Sequence, residues 1–216
     1  MQEGRPAQAN ELICINVEKV YDWVMKDMSF ELTPTSPISF PGLPDGLNLD
    51  TAIVTCQVIP NVTNPVVVLN REDRTFSIDG TSVCLQQLTL QKHFTVTICL
   101  TVPAGNGNLT ETTFTSLPFN ISRCEHVVMC APKGTNVDVT YTDLDCFVCS
   151  TGTITNEGET FVTFDNLTIS IAVCQSIQST FPVTVEFTAE YCEPRADLPF
   201  ACPPAGRPNN CSVIFP

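Results

Sequence analysis

Basic residues are the first shortage. Ten Lys and Arg stand against 23 Asp and Glu, a formal net charge of −13 in 216 residues. A nucleic-acid binder neutralises phosphates with clusters of cations. The ten here are scattered, which excludes nucleic acid as a partner and disfavours an anionic membrane surface. Histidine is scarcer still, with only His93 and His126, so general acid–base chemistry has few players. No stretch approaches the roughly 18 apolar residues that a spanning helix requires, and no membrane span is expected. The opening "MQEGRPAQAN" has neither an apolar run nor a small-residue cleavage pattern, and is read as no signal peptide. Charged residues amount to 15% and hydrophobic ones to 43%, a balance that permits a packed core and argues against disorder.

What the chain has in quantity is threonine, 27 residues, with many Val, Ile and Phe, punctuated by 17 prolines and 10 glycines. Stiff β-branched side chains suit pleated strands, and the expected class is all-β. Three segments alternate with period two. Phe94, Val96, Ile98, Leu100 and Val102 oppose Thr95, Thr97, Cys99 and Thr101. Leu167, Ile169, Ile171 and Val173 oppose Thr168, Ser170, Ala172 and Cys174. Val183, Val185, Phe187, Ala189 and Tyr191 oppose Thr184, Glu186, Thr188, Glu190 and Cys192. Asp79-Gly80 is a hairpin signal, "AGNGN" (104–108) a Gly-rich loop, and "NEGE" (156–159) a link between "GTIT" and "FVTF". Strands with such turns at short intervals describe a β-sandwich, of jelly-roll or Ig-like kind.

Residues 75–84 resemble 160–174, and 94–98 resemble 181–185. This spacing is compatible with two related β units, 34–120 and 121–216, or with one two-sheet domain over 34–216. Residues 1–33 form an extended N-terminal arm and connector, in which "LICINV" reads as a strand. Val17, Val20, Tyr21, Val24 and Met28 then follow helical spacing. The tail "CEPRADLPFACPPAGRPNNC" (192–211) is too rich in proline for a regular strand.

Twelve cysteines in a chain that does not need staples to fold point to cross-linking. Cys99, Cys174 and Cys192 lie on threonine faces, whereas Cys56 shares a face with Ala52, Val54 and Val58. Cys56, Cys84, Cys99, Cys124, Cys130, Cys146, Cys149, Cys174 and Cys192 are candidates for disulfides within the chain or on strand faces. Cys14, Cys202 and Cys211 lie in segments able to reach another subunit and are the candidates for bonds between subunits.

Competing chemistries are weaker. Cys124 and His126 could form a nucleophilic pair, but no motif joins nucleophile, base and orienting acid, and an enzyme is not expected. Cys124, Cys130, Cys146 and Cys149 could hold zinc, yet paired Cys-x-x-Cys knuckles are absent. Asp138, Asp143 and Asp145 lack the glycine-bearing loop of calcium motifs and read as a solvated strand face. No cofactor or metal is expected.

"CINVEKVYDWV" (Cys14–Val24) resembles the N-terminal signature of cysteine-rich spore-surface proteins of endospore-forming Firmicutes. "FPVTVEFTAEYC" (181–192) is similar to the SPOCS-type coat domain of that group. The resemblance implies a structural protein of the spore coat, exosporium or appendages, made without a signal peptide and oxidised at the spore surface. Its expected partners are copies of itself, as a fibre or lattice, and other spore-surface proteins. The expected docking mode is strand addition by the segment around residues 1–17. The alternative from another class is a secreted disulfide-rich adhesin or carbohydrate-binding module.

Overall fold

A computed structural model describes residues 11–105, 110–158 and 160–189, and every regular element among them is a strand. The organising element is β5 (Thr81–Val102), 22 residues long, or roughly 70 Å at the usual rise per residue. Its even-numbered residues from Leu88 to Val102 are completely buried, while Thr89, Gln91, Thr95, Thr97, Cys99 and Thr101 on the other face are half-exposed. Period-two patterning has made one face a core wall and left the other to solvent.

Four strands line the two edges of β5. Along one edge run β3 (Ile53–Pro60) and β4 (Val66–Ile78); along the other run β6 (Thr112–Thr115) and β7 (Phe119–Met129). Leu88 therefore sits between Arg71 and Val127, and Cys99 between Thr55 and Thr115. The turn from β4 to β5 is Asp79-Gly80, with φ of 50° and 77° and Ile78 paired to Thr81. Two successive positive φ values give the twist that a two-residue hairpin needs, and Gly80 tolerates its own without a Cβ. Of the Gly-rich loop 104–108, residues 106–108 lie outside the described residues.

A second sheet has the order β1 (Glu11–Leu32), β11 (Thr168–Ala189), β8 (Asn136–Ser150). Ile169, Ile171 and Val173 of β11 face inward and are buried. A bulge at Thr142 on β8, between the pairs Cys174–Asp143 and Gln175–Tyr141, changes which residues of β8 point inward. Val137, Val139 and Tyr141 do so before it, and Leu144, Cys146 and Val148 after it. A small third sheet joins β2 (Ile38–Ser39), β10 (Phe161–Asp165) and β9 (Thr153–Gly158). The β9–β10 hairpin is the one expected around residues 156–159.

The two larger sheets pack face to face as a β-sandwich. Phe94 of β5 meets Phe30 of β1 and Tyr141 of β8, with ring centroids 6.0 and 5.6 Å apart. The larger hydrophobic cluster gathers Phe94, Val96, Ile98 and Leu100 with Leu167, Ile169, Ile171 and Val173. A smaller one gathers Leu88, Leu90, Val127, Met129 and Ile177. Each such side chain contributes ~1.5–3 kcal/mol through burial.

Residues 17–28 depart from the helical expectation, because they belong to β1. The inward set is Asp22, Val24, Lys26, Met28, Phe30 and Leu32, a strand alternation interrupted by two polar residues. Each of the two has a partner. The Cys130 N–H donates to Asp22 Oδ2 at 2.7 Å, and Lys26 Nζ pairs with Glu125 at 2.8 Å. Trp23 and Met25 point outward, at 61% and 57% exposure. Polar inward and apolar outward positions together disguised the period.

The chain divides into two compact units. The larger is Glu18–Val183, and the smaller combines Met1–Val17 with Thr184–Pro216. In the described part of the smaller unit, Thr184 Oγ1 donates to Asn16 Oδ1 at 2.7 Å. Val185 and Phe187, expected on a core face, are exposed, as are Leu12 and Ile15. Residues 1–10 of the expected arm, and the proline-rich tail with Tyr191, lie outside the described residues.

Candidate functional site

Cysteine placement follows from the alternation. Cys56 on β3 and Cys146 on β8 both point into the sandwich and form a disulfide, with Cα atoms 5.7 Å apart. The bond ties the five-stranded sheet to the three-stranded one. It also removes Cys146 from the suggested zinc set of Cys124, Cys130, Cys146 and Cys149. Among the described residues no group of three or more His, Cys, Asp or Glu is placed to hold a metal. Asp138, Asp143 and Asp145 stand on the exposed face of β8.

Among the described residues, seven further cysteines carry free thiols. Cys14, Cys84, Cys124, Cys149 and Cys174 are exposed, and Cys99 and Cys130 half-buried. Cys99 and Cys124 lie on the outer face of the five-stranded sheet, and Cys149 and Cys174 on the outer face of the three-stranded one. Cys84 lies near the β4–β5 turn. In the strand register Cys84 opposes Thr75, Cys99 lies between Thr55 and Thr115, Cys124 opposes Gln91, and Cys174 opposes Asp143 on β8. Cys192, Cys202 and Cys211 lie outside the described residues. Cys124 and His126 share the outer face of β7, where His126 Nδ1 lies 3.2 Å from Thr89 Oγ1.

A second constellation escaped the sequence reading. Lys92 of β5 and Gln175 of β11 are fully buried, and Glu125 of β7 nearly so, between the two hydrophobic clusters. Lys92 Nζ contacts both Glu125 Oε2 and Gln175 Oε1. Gln175 Nε2 donates to Glu125 Oε2 at 3.0 Å. Lys26, half-exposed, pairs with the other Glu125 oxygen at 2.8 Å. Burial pushes the Lys92 ammonium down, and the nearby Lys26 charge adds to this against the pull of Glu125. For Glu125 burial alone acts upward, but hydrogen bonds from Lys26, Lys92 and Gln175 outweigh it and hold the carboxyl below its ordinary value. Tyr141, paired with Gln175 across the strands, has a buried hydroxyl with no hydrogen-bond partner. Burial, then the Glu125 charge, pushes its phenol up to about 12. The signal that could have found this cluster is a polar residue at an inward position in each of three alternating runs.

Two surface clefts are lined by neither a cysteine nor a member of the buried cluster. One of about 640 Å³ is lined by Pro37, Glu157, Gly158, Phe161 and Thr163. No helix among the described residues is long and apolar enough to cross a membrane.

Fold and site together define a β-sandwich clamped by the Cys56–Cys146 disulfide, with free thiols on both outer faces and a polar cluster in its core. No family model, curated protein or solved structure matches the chain.

Proposed function

We propose that this chain is a structural, self-assembling subunit of a spore-surface fibre or lattice, locked by disulfides between copies. The observation that carries the reading is free thiols on both outer faces of the sandwich, with Cys99 facing Thr55 and Thr115, Cys124 facing Gln91, and Cys174 facing Asp143 rather than another cysteine. A thiol on one face alone would limit the product to pairs; thiols on both faces allow a chain of copies to grow without closing. Each bond forms when two thiols give up two protons and two electrons to an oxidant such as oxidised glutathione. Strand addition supplies the non-covalent contact: β1 and β8 are the outer strands of their sheet, and an outer strand offers unpaired backbone groups.

The test is electrophoresis of purified protein oxidised with oxidised glutathione, run with and without reductant. A ladder that collapses on reduction is expected. Changing Cys99, Cys124, Cys149 and Cys174 to Ser should shorten it. A single monomer band in both lanes refutes the reading. The spore-surface location rests on the resemblance of residues 14–24, and immunogold labelling of intact spores tests it.

A further inference from the structure

We infer that the buried cluster is an autocatalytic cross-linking site, in which Lys92 and Gln175 join through an amide bond with Glu125 as proton shuttle. The inference holds whether or not copies of the chain polymerise. A lysine ammonium with no exposed surface, in a core lined by Leu90, Phe94 and Met28, is costly to keep charged. Two ammonium groups, Lys92 and Lys26, share the single Glu125 carboxylate. Lys26 reaches solvent and can keep the carboxylate paired, so the proton that leaves most readily is that of Lys92. A desolvated neutral lysine is a nucleophile.

Its electrophile is already in contact. Gln175 presents its carboxamide to Lys92 through Oε1, while its Nε2 is hydrogen-bonded to Glu125. Glu125 thus touches both the nitrogen that must lose protons and the nitrogen that must gain one. Glu125 first takes a proton from the Lys92 ammonium. The Nζ lone pair then adds to Gln175 Cδ, placing negative charge on Oε1. Glu125 hands its proton to Nε2 and collects the next one from Nζ. The Cδ–Nε2 bond breaks and ammonia departs, carrying the last proton as ammonium. One amide replaces another, nothing is oxidised or reduced, and Glu125 ends as it began.

The reaction is ordinarily slow because amides are poor electrophiles. Holding both groups in one dry site raises the effective concentration to ~10⁵–10⁸ M, and burial excludes competing water. The product would tie β5 to β11, a second covalent bond between the sheets that reductant cannot cut.

The experiment is the mass of the full chain, reduced and denatured, followed by peptide mapping. The expected result is a protein lighter than its sequence by one ammonia, with the loss mapped to a branched peptide joining Lys92 to Gln175. K92R and E125Q should each return the full mass, and circular dichroism checks that they fold. If neither folds, the wild-type map alone decides. Full mass, with Lys92 and Gln175 in separate linear peptides, overturns the inference. So does a loss mapped elsewhere, such as ring closure at Asn106 before Gly107, or a loss of water joining Lys92 to Glu125.

Discussion

Removing the internal disulfide is the perturbation with the clearest magnitude. Cys56 and Cys146 are 90 residues apart in sequence. Closing a loop of that length lowers the entropy of the unfolded chain enough to contribute about 4–5 kcal/mol at room temperature. A domain of this kind has about 5–15 kcal/mol of net stability, so C56A/C146A should lose about a quarter of it or more. With a urea dependence of about 2 kcal/mol per molar, the unfolding midpoint should fall by about 2 M. The assay is urea unfolding followed by circular dichroism on wild type, wild type with reductant, and the double variant. Reductant should move the wild type to the position of the variant, because the other described cysteines hold free thiols. A variant within about 1 kcal/mol of the oxidised wild type would show that closing this loop does not stabilise the fold.

Three further outcomes follow from the packing. Arg71 donates to Ala131 O, Pro132 O, Thr135 Oγ1 and Thr135 O, pinning the turn after β7. R71L should cost about 2–3 kcal/mol in urea unfolding, since bonds from a charged donor are worth more than neutral ones. Ile171 is fully buried in the larger cluster, and I171A should cost about 2–5 kcal/mol by the same measurement. Tyr141 should ionise only near 12 rather than at the ordinary 10.0. Between those values the unfolded chain has released the proton and the folded chain retains it, so stability falls as pH rises through that window. Ultraviolet titration should show the late step, and Y141F should abolish it.

The parts of the fold legible in the sequence were those where alternation is uninterrupted. Residues 94–102 and 167–173 carry apolar side chains at every inward position, and both segments face the core as read. The Asp79-Gly80 turn was readable because two positive φ values favour those residue types. β1 was not, since Asp22 and Lys26 occupy inward positions and Trp23 an outward one. The Val185–Phe187 face alternates as a core strand would, yet it is exposed. Period alone records which side of a strand is apolar, not what covers it. Cys56 was visible as an inward cysteine, but its partner depends on a bulge at Thr142 that no residue type announces. Lys92, Glu125 and Gln175 are 33 and 50 positions apart in turn, and only the packing of the sheets brings them together.

The most direct measurement mixes heavy-nitrogen and ordinary chains before oxidation, then maps every disulfide in the product by mass spectrometry. Cys56–Cys146 should appear within single chains, together with mixed heavy–light peptides joined through Cys99, Cys124, Cys149 or Cys174. Disulfides confined to single chains, with no mixed peptide at any cysteine, would rule out covalent assembly.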